Sequence, residues 1–254
     1  MAKQNNILEF VSFEHHNELV SLANLKGELG FLQELDEIYQ DVLHAFSVNG
    51  DNNVQFMVST MYLQAHSEFY VGMSQFFKSH ISKAFFSLRI AIDASFNAQY
   101  FMKNPRDIPA FLEENHPLQK KIFWRIKDYT AKNTKGHSLI QSLIKIHEVA
   151  SSFAAHSSLQ SIVHKYKHVI DTDQKREEVQ INYFDAVELR DFLAYYFALL
   201  KGHFRVFQFF YNDFFKKEFR SIYPEREKRI SDFETKINLK SKQHPLSRKI
   251  KSEK

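Results

Sequence analysis

Three polar side chains follow one another at four-residue steps within an otherwise apolar segment, residues 82–103. They are Arg89, Asp93 and Asn97, and this spacing places them on one side of a helix. An arginine and an aspartate one turn apart can form an internal salt bridge that holds the register of a buried helix. They can equally line a polar pocket that binds a ligand, and the sequence leaves both interpretations open.

A histidine flanked by serines supplies a second candidate for chemistry. His156 lies beside Ser157 in the segment VASSFAAHSSLQSI, where the helical pattern bends. An imidazole can act as a general base near neutral pH, although a capping or surface role explains such a histidine as well. The candidate catalytic residues are Arg89, Asp93 and His156. The candidate binding residues are Arg89, Asp93, Asn97 and Ser157.

The sequence contains no recognisable metal or nucleotide motif. Cysteine is absent, which excludes thiolate metal sites and disulfides. The six glycines stand apart, so neither GxGxxG nor GxxxxGK[ST] occurs. Glu113 and His116 form a single ExxH, whereas a di-iron bundle needs two such motifs and further carboxylates. We expect no metal site and no cofactor.

The composition predicts long helices. Glycine and proline together make up only 11 of 254 residues, which leaves few residues for the turns that sheet folds require. Apolar residues recur at helical spacing from Phe31 onward, and the clearest helical segments are 54–78, 82–103, 118–131 and 185–219. Two β-favouring runs predict a small hairpin near residues 168–183. The fold class is therefore an all-α, multi-helix bundle with one hairpin.

Charge and pattern divide the chain into three regions. Residues 1–26 have no clear pattern, residues 27–219 form the predicted bundle, and residues 220–254 form a basic helical or disordered extension. Residues 216–254 contain 13 basic and six acidic residues, a balance of +7, so the chain's net charge of +4 leaves −3 for residues 1–215. Such an extension can bind nucleic acid or can be a solvated helix and tail. The residues that would contact nucleic acid are Lys240, Lys242, Arg248, Lys249 and Lys251.

The last long helical segment, 185–219, is unusually rich in aromatic residues. Two of its faces require burial, either by a larger core within the chain or by a second copy of the protein. A homodimer is the expected assembly, and a further protein partner is compatible with it. Because no signal peptide and no membrane-spanning run is apparent, we expect a cytoplasmic protein with no membrane contact.

The order of these features resembles a group of uncharacterised bacterial all-helical proteins. The resemblance rests on LRIAIDASFNAQYFMKNP, VASSFAAHSSLQSI, a short hairpin and a helix with YYFALL, and it covers roughly residues 55–215. At a distance the chain is similar to HEPN (higher eukaryotes and prokaryotes nucleotide-binding) domains, which include RNA-cleaving toxins and phage-defence nucleases. Nuclease-active members carry an arginine with a histidine five to seven positions later. None of the ten arginines in this chain has a histidine at that offset.

The resemblance therefore implies a binding role before a catalytic one. The leading expectation is a non-enzymatic binding or interaction protein, in a toxin–antitoxin or phage-defence setting implied by the resemblance alone. One alternative is an RNA-directed nuclease whose atypical site is assembled from Arg89, Asp93 and His156. Another is a small-molecule sensor with an apolar cavity walled by Phe85, Phe96 and Tyr100. An Arg89 ridge that opens into a cleft with a histidine nearby would favour the nuclease, and a closed buried pair would favour the interaction protein.

Overall fold

Helices make up most of the chain that the computed structural model describes, which is residues 7–45, 52–113, 116–132, 137–154, 166–171, 176–181 and 188–246. Their order is α1 (Ile7–Asn24), α2 (Leu29–Ala45), α3 (Asn53–Phe77), α4 (Ile81–Lys103), α5 (Ile108–Leu112), α6 (Gln119–Lys132), α7 (Ser138–Ala154), α8 (Leu189–Phe210), α9 (Lys216–Ile222) and α10 (Glu227–Gln243). The predicted all-α bundle is confirmed. Within the described ranges, every helix is too short or too polar to cross a membrane.

Two short strands stand between α7 and α8 in the chain. They are β1 (Tyr166–Asp171) and β2 (Arg176–Ile181), and they pair in antiparallel fashion. In their register Tyr166 lies opposite Ile181 and Asp171 lies opposite Arg176.

Local sequence signals account for the ends of α3 and α4. Asn52 caps α3, because its Oδ1 accepts a hydrogen bond from the Gln55 N–H at 3.1 Å. Helix α4 ends at Lys103, two residues before Pro105, as the sequence predicts. Asp107 stands directly before α5, but its side chain makes no capping hydrogen bond to that helix. Its carboxylate accepts hydrogen bonds from Tyr100 and Arg125 instead.

Helices α3, α4 and α8 form the centre of the bundle. Helix α8 is buried on almost every side, and Phe197, Phe204 and Phe207 are at most 1% exposed. Its backbone approaches α4 closely at Gly202, where a Cβ atom would lie 2.6 Å from Leu88 Cδ2. The apolar surface that suggested a dimer interface on this helix is therefore covered within the chain.

Helix α10 corrects the predicted extension at residues 220–254. Phe233 and Ile237 are fully buried, and α10 packs against α2 and α8. The Phe233 ring meets the Phe204 ring edge-on, with centroids 4.9 Å apart. Residues 227–243 are a helix of the bundle because their apolar stripe completes its core.

Candidate functional site

Helix α4 presents the predicted polar ridge at a partly open position. The Arg89 and Asp93 side chains are 31% and 49% exposed, and Arg89 Nε lies 3.9 Å from Asp93 Oδ2. Asn97, one turn further on, is also partly exposed. The interpretation as a closed, buried salt bridge is therefore wrong, because nearly half of the Asp93 side chain faces solvent. The ridge lies at the edge of the α4 surface that the neighbouring helices cover.

His147 on α7 completes a cluster with this ridge. Its Nε2 lies 3.1 Å from Asp93 Oδ1, across 54 residues of sequence. The His147 side chain is 26% exposed, so solvent or a ligand can reach the ring. The Phe96 ring lies beside it, with centroids 6.1 Å apart. Asp93 thus touches His147 through one carboxylate oxygen and Arg89 through the other.

The hydrogen bonds of His147 determine which ring nitrogen can act as a base. An ionised carboxylate only accepts hydrogen bonds, so Nε2 carries the proton and donates a hydrogen bond to Asp93. The lone pair is then on Nδ1, which lies 3.4 Å from the Ser151 Oγ. Ser151 follows one turn later on α7 and can donate its hydroxyl proton to Nδ1. We name Arg89, Asp93, His147 and Ser151 the α4–α7 cluster.

The α4–α7 cluster combines three chemical capabilities. His147 Nδ1 can accept a proton, and Asp93 holds the ring in the orientation that exposes Nδ1. The Arg89 guanidinium carries a permanent positive charge and can form paired hydrogen bonds with a phosphate or a carboxylate. A substrate hydroxyl could approach Nδ1 where the Ser151 hydroxyl lies. The arrangement suits proton abstraction beside an anionic group.

Sequence reasoning missed His147 and selected a histidine nine residues later. A signal was present, because His147 falls on the inner stripe of α7 between Leu143 and Ala150, both fully buried. A titratable residue on such a stripe needs a polar partner from another helix. His156 and Ser157 lie outside the described residues.

The rings proposed to wall a sensor cavity are packed against other rings. Phe85 stacks on Phe153 at 4.6 Å between centroids. Tyr100 meets Tyr129 edge-on at 5.8 Å, and Phe96 lies beside His147. Phe85 and Phe96 thus pack against rings of α7, whereas Tyr100 lines an open cavity at the end of α4 that neither phenylalanine borders.

The structure also places the basic residues that were predicted to contact nucleic acid. Lys240 Nζ lies 3.0 Å from Glu28 Oε1 and about 6 Å from the centroids of the Phe31 and Phe197 rings. The Lys240 ammonium is therefore paired within the bundle, and its contact with nucleic acid stays a prediction. Lys242 is exposed at the end of α10. The remaining three, Arg248, Lys249 and Lys251, lie outside the described residues.

The pairing of Lys240 continues along α10. Lys236 lies 2.9 Å from Glu34, Arg229 pairs with Glu37, and Arg226, just before α10, pairs with Asp41. We name these contacts, with Lys240–Glu28, the α2–α10 ion pairs. The hydrogen bond from Arg229, followed by one from Gln33, holds the pKa of Glu37 below its ordinary value. In the part of the chain that the structure describes, four of the 13 basic residues of 216–254 are therefore paired with carboxylates of α2 or of the turn before it.

Metal ligands do not assemble in the described part of the chain, where no group of three or more histidine, aspartate or glutamate side chains could hold an ion. His116 and Glu113 of the single ExxH form a pair with 3.7 Å between Nε2 and Oε2.

Comparisons with protein-family models, curated proteins and solved structures find no match to this chain.

Proposed function

We propose that the protein cleaves RNA without a metal ion, at the α4–α7 cluster. The observation that carries the proposal is the hydrogen bond of 3.1 Å between Asp93 and His147, with Arg89 on the same carboxylate and all three side chains partly exposed. A neutral imidazole oriented by a carboxylate is a general base, and an adjacent guanidinium binds phosphate. RNA carries its own nucleophile, the 2′-hydroxyl, beside each phosphate.

The reaction uses the lone pair of His147 Nδ1. This nitrogen takes the proton of a 2′-hydroxyl, and the oxygen attacks the adjacent phosphorus. The bond from phosphorus to the 5′-oxygen breaks, and that oxygen takes a proton from water. The products are a 2′,3′-cyclic phosphate and a 5′-hydroxyl, and His147 returns its proton to water. Arg89 stabilises the negative charge that builds up on the phosphate oxygens.

Asp93 acts through His147. By accepting the hydrogen bond from Nε2–H it keeps the lone pair on Nδ1, and its charge stabilises the imidazolium that forms during the reaction. Asp93→Asn would remove this charge. The asparagine NH2 group could also donate a hydrogen bond to Nε2, which would leave the proton on Nδ1. We expect this variant to lose activity while the fold is retained, because Asp93 is about half exposed.

The hydrogen bonds that link Ser151 to His147 and His147 to Asp93 also match those of the catalytic triad of a serine hydrolase. Such an enzyme needs N–H groups that stabilise the oxyanion of its tetrahedral intermediate. Ser151 lies inside α7, where backbone N–H groups bond within the helix. The surroundings of Ser151 therefore favour phosphate chemistry, in which the serine is dispensable.

The test is cleavage of a labelled RNA pool in the presence of a chelator. We expect His147→Ala and Arg89→Ala to reduce the rate at least about 100-fold. Ser151→Ala should retain activity, whereas a hydrolase mechanism would abolish it. His44→Ala removes an exposed histidine from α2 and serves as the matched control. His156→Ala, run alongside, tests the histidine selected from sequence.

An intact protein that binds the RNA and leaves it uncut would contradict the proposal. That outcome would support the non-enzymatic binding function expected from the sequence. Full activity of His147→Ala would also contradict it, and loss in His156→Ala alone would move the base to that histidine. Circular dichroism of each variant establishes whether a loss of activity reflects unfolding.

The cellular setting is part of the same proposal. An RNA substrate is consistent with a cytoplasmic protein, and the resemblance to HEPN domains supports a role in a toxin–antitoxin or phage-defence system. The reaction proposed for the α4–α7 cluster does not depend on this location or on this biological role.

A homodimer is proposed on a surface different from α8. Helix α3 exposes an uncharged stripe at alternating steps of four and three residues, the spacing of a seam between two helices. The stripe consists of Phe56, Thr60, Leu63, Ser67 and Tyr70. Light scattering of the intact protein and of Leu63→Glu tests it, with a monomer expected for the variant. A monomer for the intact protein would contradict the proposal.

A further inference from the structure

Helix α6 exposes two large aromatic side chains on a basic surface. Phe123 and Trp124 are 61% and 52% exposed, and their rings meet edge-on at 5.9 Å. Helix α6 is held in the bundle by Ile122 and Ile126, which are at most 5% exposed, and Trp124 lies on the opposite side of the helix. The exposed rings therefore do not belong to the face that anchors the helix. A tryptophan more than half exposed beside a phenylalanine is an unusual surface feature.

The charges around these rings are almost all positive. Residues 119–132 contain five basic residues and one acidic residue. Lys120 and Lys127 lie one turn before and one turn after Trp124, and Lys127 Nζ is 5.1 Å from the centroid of its ring. In the part of the chain that the structure describes, neither lysine has a carboxylate within ion-pair distance. Arg125 does, since it reaches Asp107 at 3.3 Å.

Arg125 also borders a cavity of about 520 Å³ at the end of α4. Lys103 and Arg106 lie on its exposed rim, and Tyr100 lines it from the inner side. Burial, reinforced by the hydrogen bond to Asp107, raises the pKa of Tyr100 to about 12, so this hydroxyl keeps its proton and donates its hydrogen bond to Asp107, which also lines the cavity. The cavity thus has a cationic rim that continues onto the surface of α6. A volume of this size holds one residue of a polymer.

The cavity lies in line with the α4–α7 cluster. Tyr100 follows Asp93 by seven residues, which is two turns and about 10 Å along the axis of α4, on the same side of the helix. Asn97 lies between them. A strand that runs along this side of α4 would pass from the basic surface of α6 to the α4–α7 cluster.

We propose that α6 and the adjoining cavity bind single-stranded RNA. Bases stack on Trp124 and Phe123, while the phosphates meet Lys120, Lys127 and the cationic rim of the cavity. A single strand fits this surface, because a base can stack on an exposed ring only when it is not already stacked between its neighbours in a double helix. The proposal rests on the proposed function only for the choice of RNA as the polymer.

The test measures binding separately from cleavage. The probe is a fluorescent single-stranded 12-mer with 2′-O-methyl groups, which has no 2′-hydroxyl to attack. Anisotropy titrations with the full-length protein are run at several salt concentrations. We expect Trp124→Ala to weaken binding about tenfold or more, and Trp124→Phe to retain most of the affinity. The double variant Lys120→Ala/Lys127→Ala should lower the steepness of the log–log salt dependence by about 1.4.

A matched control removes two exposed lysines elsewhere. Lys217→Ala/Lys228→Ala changes the net charge equally, on α9 and α10, and should leave the affinity within about twofold of the parent. Equal losses in both double variants would overturn the proposal, because net charge alone would then explain binding. Unchanged binding by Trp124→Ala would overturn it as well.

Two further results separate the possible failures. Vesicles with 30% anionic lipid are offered in a sedimentation assay, and binding to them through Trp124 without binding to the 12-mer would overturn the RNA assignment. A protein that binds the 12-mer through Trp124 but cuts no RNA would support the α6 surface and contradict only the proposed function.

Discussion

Helices α6 and α10 contain five basic residues each, yet the bundle uses them in opposite ways. On α10, Arg229, Lys236 and Lys240 face carboxylates on α2 or in the turn before it. On α6, Arg125 reaches Asp107, while Lys120 and Lys127 surround an exposed tryptophan. The number of charges in a segment therefore says little about binding. The acidic residues on the neighbouring helix decide whether a basic helix is occupied or available.

The largest expected difference between the two helices is in stability. Phe233→Ala should lower the free energy of unfolding by about 3–5 kcal/mol, because the ring is fully buried against Phe31 and Phe204. Trp124→Ala should change it by less than about 0.5 kcal/mol, since more than half of that side chain faces solvent. Urea unfolding of both variants measures the difference. Similar losses would show that α6 is as integral to the core as α10.

Charge reversal on α10 and on α6 should also have different effects on stability, although the difference is smaller. Arg229→Glu places a third carboxylate beside Glu37 and Asp41, and we expect a loss of about 1 kcal/mol in the free energy of unfolding. Lys127→Glu on α6 should have almost no effect on stability, because no carboxylate in the described chain pairs with Lys127. Urea unfolding at low and high salt checks both. A larger loss for Lys127→Glu would contradict the comparison.

A pH dependence follows from the α2–α10 ion pairs. The pKa of Glu37 is lowered from 4.5 in the folded state, first by the hydrogen bond from Arg229. Its contribution to stability is therefore present above about pH 4.5 and is lost as the pH falls through the folded pKa. Arg229→Ala should make stability fall less steeply between pH 5 and pH 3, measured by urea unfolding across that range. An identical slope in parent and variant would contradict this role for Glu37.

The smallest expected effect concerns the residues after α10. A stop codon after Leu246 removes Arg248, Lys249 and Lys251 and leaves α10 whole. If α6 carries the binding surface, affinity for the 2′-O-methyl 12-mer should change by less than about threefold at moderate salt. A loss larger than that of Lys120→Ala/Lys127→Ala would show that these tail residues bind nucleic acid, as the sequence suggests.

Local patterns predicted the central helices closely. The segments 54–78 and 82–103 became α3 (Asn53–Phe77) and α4 (Ile81–Lys103), because their periodicity, Asn52 and Pro105 act over a few residues. The start of the last long helix was less accurate. The pattern placed it near residue 185, whereas α8 begins at Leu189 and a π-helical turn at Tyr211–Phe215 precedes α9.

The candidate site was predictable only in part. Arg89 and Asp93 could be found because they share a helix and a spacing. The place of His147 on the inner stripe of α7 indicates that it needs a polar partner. The sequence cannot identify Asp93 as that partner, because their contact depends on how α7 packs against α4. Likewise, the partner of Lys240 lies 212 residues away at Glu28. Contacts set by tertiary packing leave little local signature, and this is why the pairing of the basic residues of α10 with α2 could not be predicted.

The most direct test of the proposed function is the chemistry of the cleaved ends. The substrate is a DNA strand with a single ribonucleotide, so that only one 2′-hydroxyl is available. The account predicts one cut after that ribonucleotide, with a 2′,3′-cyclic phosphate and a 5′-hydroxyl seen by mass spectrometry, and no cut by His147→Ala. Cleavage at other positions, ends with a 5′-phosphate, or equal cleavage by His147→Ala would contradict it.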